Sequence, residues 1–275
     1  MKLGFNEATC MKNSTLEQDL ELLEKHGYDY IEIRLDMLAD YLKNHTLDDL
    51  KDFFDTHHLK PYGFNSIENI NFCGPVGWKA LVDLVSFACQ ASTVIGGKCL
   101  VVVPTMGPTM KDRTTDEVFQ DSVDVLRRLS GLVEPYGMRL AFEPIGDPRW
   151  CVRTVEEALR IVEEVGRENV GLAIDAFNLF MYSRLADIDS LDQVPGEKVF
   201  VLHIDDADDL PLGVLDHSHR TFPGNGVIPL AALVHKLKAR GYDDICSLEL
   251  FNPGYWELAA EDVIRIGADK TRAFL

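Results

Sequence analysis

Short apolar runs alternate with longer amphipathic stretches along most of this chain. The apolar runs have the length of β-strands, whereas the longer stretches repeat apolar residues at the spacing of one helix face. Leu16, Leu20 and Leu23 give this spacing in the first stretch, and Gly27 ends it. We interpret eight apolar runs as strands, at 3–6, 30–34, 61–65, 100–103, 138–143, 170–175, 199–203 and 245–249.

Helical patterns follow the predicted strands, so the chain forms eight strand-helix units. Near-continuous apolar strands are typical of a parallel sheet that is buried on both faces. Eight such units predict an α/β fold, a single closed (β/α)8 TIM barrel, with an open doubly wound sheet as the alternative. The predicted helices lie at 16–26, 47–57, 78–95, 115–136, 155–165, 230–240 and 259–274, with a mixed segment of weak helical character at 177–194.

The length and composition predict one domain. The chain has 275 residues, 46% of them hydrophobic, and no Pro/Gly/Ser-rich linker divides it, so we predict a single domain at 1–275. Its first residues turn polar too soon for a signal peptide, and no apolar run approaches the ~20 residues of a membrane span. We therefore expect a cytoplasmic protein without a membrane partner, and the sequence leaves open whether copies form a homo-oligomer.

The acidic balance argues against one class of partner. The formal net charge is -18, which repels a phosphate backbone, so we expect no nucleic-acid partner. This charge sets no comparable limit on a small neutral substrate. The six cysteines are scattered without a CxxC pair, which indicates reduced thiols rather than a metal or redox motif.

Four successive predicted strands each end in a side chain that can bind a metal ion. These residues are Glu143, Asp175, His203 and Glu249. In a barrel these strands are neighbours, and active sites form at the carboxyl ends of the strands. A buried carboxylate is costly unless it is paired or binds a metal. Each residue alone is compatible with a structural role, but together they predict one divalent-metal site.

Three carboxylates and one imidazole make a mostly hard ligand set. It suits Mn²⁺, Zn²⁺, Co²⁺ or Mg²⁺ better than it suits a thiolate-preferring ion. A metal with two open positions could bind both oxygens of an α-hydroxy ketone and stabilise the enediolate that forms when the α-proton leaves. Glu143 and Glu249 are the predicted acid and base, in an order that the sequence leaves open. A hydride shift between the two carbons is the alternative mechanism.

Three further residues are predicted to contact the substrate. Arg220 follows the 199–203 strand and offers donors to substrate oxygens, while Glu32 and Asn65 end two earlier strands and would line the other wall of a polyol pocket. Each is also compatible with a plain loop or capping role. His217 and His219 lie in the same polar loop as Arg220, and we do not predict them as metal ligands.

A few other residues near the predicted strand ends have weaker support. Asp205 or Asp206 could orient an imidazole, although a simple acidic loop explains them as well. Trp150 and Trp256 could form apolar walls of the pocket. These four residues are therefore hypotheses that depend on how the loops fold.

Seven stretches of the sequence resemble a known enzyme family. They lie at 5–9, 25–34, 122–126, 134–137, 169–172, 203–206 and 249–251. Together they resemble the xylose-isomerase-like TIM-barrel superfamily, and within it the bacterial inosose isomerases, over nearly the whole chain. The resemblance implies isomerisation of 2-keto-myo-inositol to 1-keto-D-chiro-inositol in inositol catabolism, an intramolecular oxidoreduction of a small keto-polyol. It also implies a divalent metal held by the four strand-end residues.

The chain departs from that family at two places. Relatives often have a histidine three residues after the aspartate that ends the 170–175 strand, and this chain has Asn178 there. If that histidine positions the substrate or a proton, this chain would differ in substrate or rate. The loop from 69 to 78 also differs from the expected pattern, so the resemblance implies nothing about a lid.

Three other functions are compatible with parts of the pattern. The same metal and carboxylates could isomerise or epimerise another ketose or hydroxypyruvate, although ketose 3-epimerases place an arginine where this chain has Asp208 and Asp209. Metal-dependent phosphodiester cleavage is opposed by the negative net charge. A carbohydrate-binding barrel without catalysis is opposed by the presence of Glu143 and Glu249.

Overall fold

Eight parallel strands close into a barrel in this computed structural model, which describes residues 1–107, 112–184 and 188–275. Around the barrel their order is β1-β10-β7-β6-β5-β4-β3-β2, so the predicted TIM barrel is confirmed. The barrel strands are β1 (Lys2–Asn6), β2 (Tyr30–Arg34), β3 (Lys60–Ile67), β4 (Cys99–Val102), β5 (Arg139–Phe142), β6 (Val170–Asp175), β7 (Val199–Ile204) and β10 (Ile245–Leu248).

Helices connect the strands and pack against the outside of the sheet. Within the described ranges, none of them has the length and apolar character needed to cross a membrane. Residues 185–187, part of the mixed segment predicted at 177–194, lie outside the described residues. The helices are α1 (Leu16–Lys25), α2 (Leu35–Tyr41), α3 (Leu47–Thr56), α4 (Gly74–Ile95), α5 (Thr115–Val133), α6 (Val155–Val165), α7 (Ala176–Ser183), α8 (Leu230–Ala239), α9 (Pro253–Trp256) and α10 (Ala260–Arg272).

Several elements differ from the sequence-based prediction. The short helix α2 was missed because it follows β2 directly, and its N-cap residue Arg34 makes no side-chain capping bond. The helix predicted to start at 78 begins at Gly74, where Pro75 in the first turn is pre-organised for a helix. A two-stranded antiparallel sheet of β8 (Asp206–Ala207) and β9 (Arg220–Thr221) was also missed.

The alternation of side chains along a strand places the polar side chains at the strand ends on the inner face of the barrel, at its mouth. Side chains two residues apart on a strand share a face. Ala141, Ala173 and Val201 belong to the small apolar cluster of Tyr62, Cys99 and Ile245, and each lies two residues before a predicted metal ligand. The parallel register then pairs Asp175 with His203 on the neighbouring strand. The apolar layer therefore supports a polar layer at the carboxyl ends.

One buried polar side chain interrupts the apolar face of α1. Asp19 shares that face with Leu16, Leu20 and Leu23, and no described basic residue forms an ion pair with it. Burial raises the pKa of Asp19 to about 7. Burial also raises the pKa of the neighbouring Glu7 well above its usual range, and Asp19 raises it further. These two carboxyl groups are therefore a source of pH-dependent stability outside the strand-end site.

Replacing Asp19 by Asn should stabilise the protein above neutral pH. The folded state holds the Asp19 proton more tightly than the unfolded chain, because the pKa of Asp19 is raised from 3.8 to about 7. The contribution of this proton to the free energy of unfolding is therefore lost as pH rises from 3.8 to about 7. The amide cannot ionise, and we expect it to raise the free energy of unfolding by about 1–3 kcal/mol at about pH 8. Urea titrations at several pH values measure this, with the exposed Glu21→Gln on the same helix as control. Equal pH dependence in wild type and Asp19→Asn would refute the assignment.

Candidate metal centre

Four side chains converge at the carboxyl ends of adjacent strands. Glu143, Asp175, His203 and Glu249 are all buried, and each offers a ligand atom that lies within 4.8 Å of those of the other three. They come from the ends of β5, β6, β7 and β10, which are consecutive around the barrel. The structure thus brings together the four residues predicted as ligands.

The two ring nitrogens of His203 face different carboxylates. Nε2 lies 3.2 Å and 3.3 Å from the two carboxylate oxygens of Glu32, so it is the nitrogen that donates a hydrogen bond. Nδ1 lies 3.5 Å from Oε1 of Glu143 and 3.5 Å from Oε2 of Glu249 but has no hydrogen-bond partner in the described structure. With the proton on Nε2, a neutral His203 would present its Nδ1 lone pair between these two carboxylates, which is the arrangement that a bound cation requires.

Arg220 is the permanent cation of the site. Its Nη1 lies 2.8 Å from Asp175 Oδ2, 2.6 Å from Asp205 Oδ2 and 2.8 Å from Glu249 Oε2. The guanidinium also lies over the rings of Phe177 and Phe251. Burial opposes its charged form, but the three carboxylates raise the pKa of Arg220 further above its usual range. Arg220 therefore stays charged and fixes the positions of two predicted ligands.

Neutral amides complete the hydrogen bonding of these carboxylates. Asn6 donates from Nδ2 to Glu249 Oε1 at 2.8 Å, and Asn65 approaches the same oxygen at 3.5 Å. Asn178 donates from Nδ2 to Glu143 Oε1 at 3.1 Å and from its backbone to Asp175 Oδ1 at 2.6 Å. Amides supply these bonds without adding charge, so the net charge of the site stays negative.

The balance of buried charge fits a divalent cation. Burial raises the pKa of Glu143 to about 7, although His203 acts in the opposite direction. Burial disfavours the charged form of His203, yet Glu249, Glu32 and Glu143 together raise its pKa well above the usual range. Glu249 and Asp175 add to the effect of burial on Glu143, so the site has an excess of buried carboxylates, which are Glu32, Glu143, Asp175, Asp205 and Glu249. A divalent ion would remove that excess, and three carboxylate ligands with one imidazole suit Mn²⁺, Co²⁺, Zn²⁺ or Mg²⁺.

A cavity of about 160 Å³ opens beside two of the four residues. Glu143 and Glu249 line it directly, which leaves both carboxylates accessible to a small molecule. Asn65 and Arg220 line it too, as does Trp150, which was predicted as an apolar wall. The remaining lining residues are Arg34, Ser66, Glu68, Val103, Ile145, His217 and Phe251.

Other predicted site residues lie elsewhere. Glu32 contacts His203 instead of lining this cavity, so its geometry suits orientation of the imidazole. Trp256 donates its indole N–H to Thr9 O and does not line the cavity, because α9 turns its side chain toward the loop after β1. Of the three residues expected at a substrate, Asn65 and Arg220 therefore lie at the cavity.

The two aspartates after β7 do not orient an imidazole. Asp205 pairs with Arg220 and accepts the backbone N–H of Phe177 at 2.8 Å. Asp206 accepts the backbone N–H groups of Gly224, Gly226 and Ile228 at 2.8–3.0 Å, as well as that of Ala207. Their short distance from His203 in sequence was misleading, because the chain turns after β7 and directs both carboxylates at the loop that carries Arg220.

Sequence reasoning missed two contributions to the site. Asn6 ends the first strand, but its bond to Glu249 depends on the pairing of β1 with β10 across the closure of the barrel. His217 was not predicted as a ligand because its loop is polar, but the structure packs its partly buried ring against aromatic side chains. In the sequence, the one indication that His217 lies near the site was its position three residues before Arg220, which was predicted to contact the substrate.

Comparison with known proteins gives one consistent family. Residues 20–274 match the family model described as xylose isomerase-like TIM barrel. The inosose isomerases of Bacillus velezensis and Bacillus subtilis are each 43% identical, over 99% and 98% of this chain and 96% of each relative. A crystal structure of the IOLI protein with a binding zinc atom has a TM-score of 0.95 and 42% identity, and covers 100% of this chain and 99% of that one.

Removing the guanidinium of Arg220 should destabilise the metal-free protein strongly. Arg220→Met leaves Asp175, Asp205 and Glu249 without their buried cation, and breaking such a pair typically costs about 3–5 kcal/mol. Urea unfolding in the presence of a chelator measures this loss. Arg265→Met is the control, because its ion pair with Asp262 is exposed and is expected to contribute about 0–1 kcal/mol. Equal stability of the two variants would contradict the central role of Arg220.

Proposed function

This chain belongs to the xylose isomerase-like TIM barrel family, and we infer that it is an inosose isomerase, an enzyme that interconverts 2-keto-myo-inositol and 1-keto-D-chiro-inositol. Full-length identity above 40% to inosose isomerases supports this reaction. The observation that carries the proposal is the buried set of Glu143, Asp175, His203 and Glu249, with Nδ1 of His203 unpartnered between two carboxylates. Its substrate is a small polyol ketone.

The four ligand candidates would hold a divalent metal ion as cofactor. When bound, such an ion acts as a Lewis acid that polarises the carbonyl group and stabilises negative charge on the oxygens of an α-hydroxy ketone. Glu32 would keep the Nε2 proton of His203 in place, so that Nδ1 is free as a ligand. Arg220 would hold Asp175 and Glu249 in position from the opposite side.

The isomerisation moves a hydrogen between two adjacent carbons. The C–H bond of the carbinol carbon breaks and its proton goes to a carboxylate, and the carbinol oxygen loses its O–H proton as it becomes the new carbonyl oxygen. The former carbonyl carbon gains a proton from a second acid, and the former carbonyl oxygen takes up the O–H proton and becomes a hydroxyl group. Glu143 and Glu249 line the same cavity, so one can accept and the other can return the proton, with their roles exchanged in the reverse direction. Asn6 and Asn178 would fix the orientation of these two carboxylates.

Burial of the site favours this chemistry. Water is largely excluded around Glu143, His203 and Glu249, because the three side chains are 0–5% exposed. In such surroundings hydrogen bonds and charges act more strongly on developing negative charge than they do in water. Arg220 supplies a fixed positive charge next to Glu249, and the phenyl rings of Phe177 and Phe251 shield it from solvent.

Metal removal and isotope labelling test the function directly. We expect the protein to convert 2-keto-myo-inositol, followed by NMR in deuterated buffer, and to lose this activity after chelation and dialysis. Added Mn²⁺, Co²⁺ or Zn²⁺ should restore it, because the four ligands hold the ion on which the reaction depends. Deuterium at the carbon that gains hydrogen is the expected label, whereas turnover without label would favour a hydride shift.

D-fructose and hydroxypyruvate serve as comparison substrates, and a clear preference for either one would refute the proposed specificity.

Replacing Glu249 by Gln should abolish most turnover without unfolding the protein. The amide keeps the shape of the side chain but cannot accept the α-proton, and loss of an acid–base group typically lowers kcat by about 10²–10⁴-fold. Steady-state kinetics and thermal unfolding measure the two effects separately. Glu257→Gln is the control, since Glu257 is exposed on the same loop. A kcat close to wild type in Glu249→Gln would remove this residue from the acid–base pair.

A further inference from the structure

A partly exposed arginine ends the strand that lies across the barrel from β6. Arg34 is the last residue of β2 and lines the same cavity as Glu143 and Glu249. The order of strands places β2 four positions from β6 in a ring of eight, so the end of β2 lies opposite Asp175. Arg34 therefore approaches the cavity from a different side than the metal-ligand candidates.

The position of Arg34 along its strand directs its side chain inward. Side chains two residues apart on a strand share a face, and Glu32, two residues before Arg34, contacts His203 inside the barrel. In the parallel register Arg34 pairs with Asn65, whose amide approaches Glu249 Oε1 at 3.5 Å. Arg34 thus belongs to the inner face of the barrel, one layer nearer to its mouth than Glu32.

One carboxylate holds the guanidinium and leaves one of its nitrogens free. Nε and Nη2 of Arg34 donate to the two oxygens of Asp36 at 3.0 Å and 2.9 Å. Burial opposes the charged form of Asp36, but the hydrogen bonds and charge of Arg34 lower its pKa, so the pair stays ionised. Nη1 is not a buried atom, and it forms no hydrogen bond with any residue that the structure describes. Arg34 therefore keeps an oriented donor in reserve.

This free donor distinguishes Arg34 from the other arginine at the cavity. Arg220 is 1% exposed, and three carboxylates surround its Nη1. The side chain of Arg34 is 20% exposed and pairs with a single carboxylate. A cyclic keto-polyol has hydroxyl groups around its whole ring, so those remote from the reacting carbons need partners away from the metal ligands.

The secondary structure gives no reason for an arginine at this position. Arg34 is the N-cap of α2, where Ser, Thr, Asp or Asn is preferred, and its side chain makes no capping bond. A positive charge at a helix N-terminus also opposes the helix dipole. Its backbone N–H donates to Glu7 Oε2 at 2.7 Å, but any residue except proline would supply that bond. Departures from local preference of this kind are typical of functional sites.

We propose that Arg34 determines substrate specificity: its free Nη1 donates a hydrogen bond to one hydroxyl oxygen of a cyclic keto-polyol, remote from the reacting carbons. This role rests on the proposed function, because the reaction supplies the substrate class. It makes Arg34 a recognition residue rather than an acid, a base or a metal ligand. Asp36 is then a positioning residue, which fixes the direction of the guanidinium before the substrate binds.

Two substitutions of Arg34 separate its guanidinium from its backbone. Arg34→Met keeps the apolar stem and the backbone N–H, so KM for 2-keto-myo-inositol should rise about 10-fold while kcat changes by less than about threefold. Arg34→Lys keeps a charged donor without the planar fork and should be intermediate. Arg265→Met, which removes an exposed ion pair with Asp262, is the matched control and should leave KM unchanged. Bound metal, measured by elemental analysis, should be equal in all four proteins.

Thermal unfolding of the same variants distinguishes recognition from a structural role. A lower unfolding midpoint of Arg34→Met together with a wild-type KM would assign Arg34 to the stability of α2 and overturn the proposal. If Arg34→Met folds poorly, Arg34→Lys carries the test, because it keeps the positive charge at this position. A wild-type KM in that variant would then overturn the proposal.

The positioning role of Asp36 has a separate test. Asp36→Asn removes the charge that holds the guanidinium, and the side chain of Asp36 is 67% exposed, so the fold should tolerate the change. We expect KM to rise about threefold in the wild-type background and to stay constant in the Arg34→Met background, because Asp36 acts through Arg34. The same rise in both backgrounds would overturn this role.

Deoxy analogues of the substrate identify the contact. Wild type should lose about 10-fold in kcat/KM on the mono-deoxy inosose that lacks the recognised hydroxyl, whereas Arg34→Met should not distinguish that analogue from the parent. The proposal is overturned if Arg34→Met loses the same factor as wild type on every analogue.

Binding measurements separate this proposal from the proposed function. Calorimetry of the metal-loaded protein with 2-keto-myo-inositol reports affinity without turnover. If wild type binds but does not convert this ketone, and Arg34→Met binds about 10-fold more weakly, the proposed reaction fails while the recognition role stands. If wild type converts the ketone and Arg34→Met binds it equally well, the recognition role fails alone. If wild type does not bind it at all, both are refuted.

Discussion

An excess of buried negative charge at the mouth of the barrel determines how the rest of the site is built. Glu32, Glu143, Asp175, Asp205 and Glu249 are all at most 4% exposed, and the guanidinium of Arg220 and the imidazole of His203 face them. Burying carboxylates without compensation is prohibitively costly. Amide donors, backbone N–H groups and one guanidinium offset part of this cost, and a divalent ion bound between the ligands would offset the remainder.

Residues whose positions follow from strand alternation could be predicted from the sequence. Glu143, Asp175 and His203 lie two positions beyond Ala141, Ala173 and Val201, so the period of a strand places them on the inner face above an apolar layer. The strands themselves are short apolar runs with clear ends. Because both signals are local, the barrel and the four strand-end residues could be found without knowledge of any long-range contact.

Residues that reach the site from loops could not be predicted in the same way. The segment between β7 and α8 has the composition of a solvated loop, yet it folds back across the mouth of the barrel. Asp206 holds it there by accepting backbone N–H groups of Gly224, Gly226 and Ile228, which lie about twenty positions later. This fold-back buries Arg220 among the carboxylates and packs the partly buried His217 against aromatic rings. Both placements depend on contacts between distant parts of the chain, which leave no periodic trace in the sequence.

Asn178 shows how a neutral side chain meets the same constraint. Its amide donates to Glu143 and its backbone N–H donates to Asp175, so it meets the structural needs of both carboxylates. A histidine at this position could also exchange a proton near neutral pH, whereas an amide cannot. The amide therefore keeps both carboxylates in position without adding a titratable group to the site.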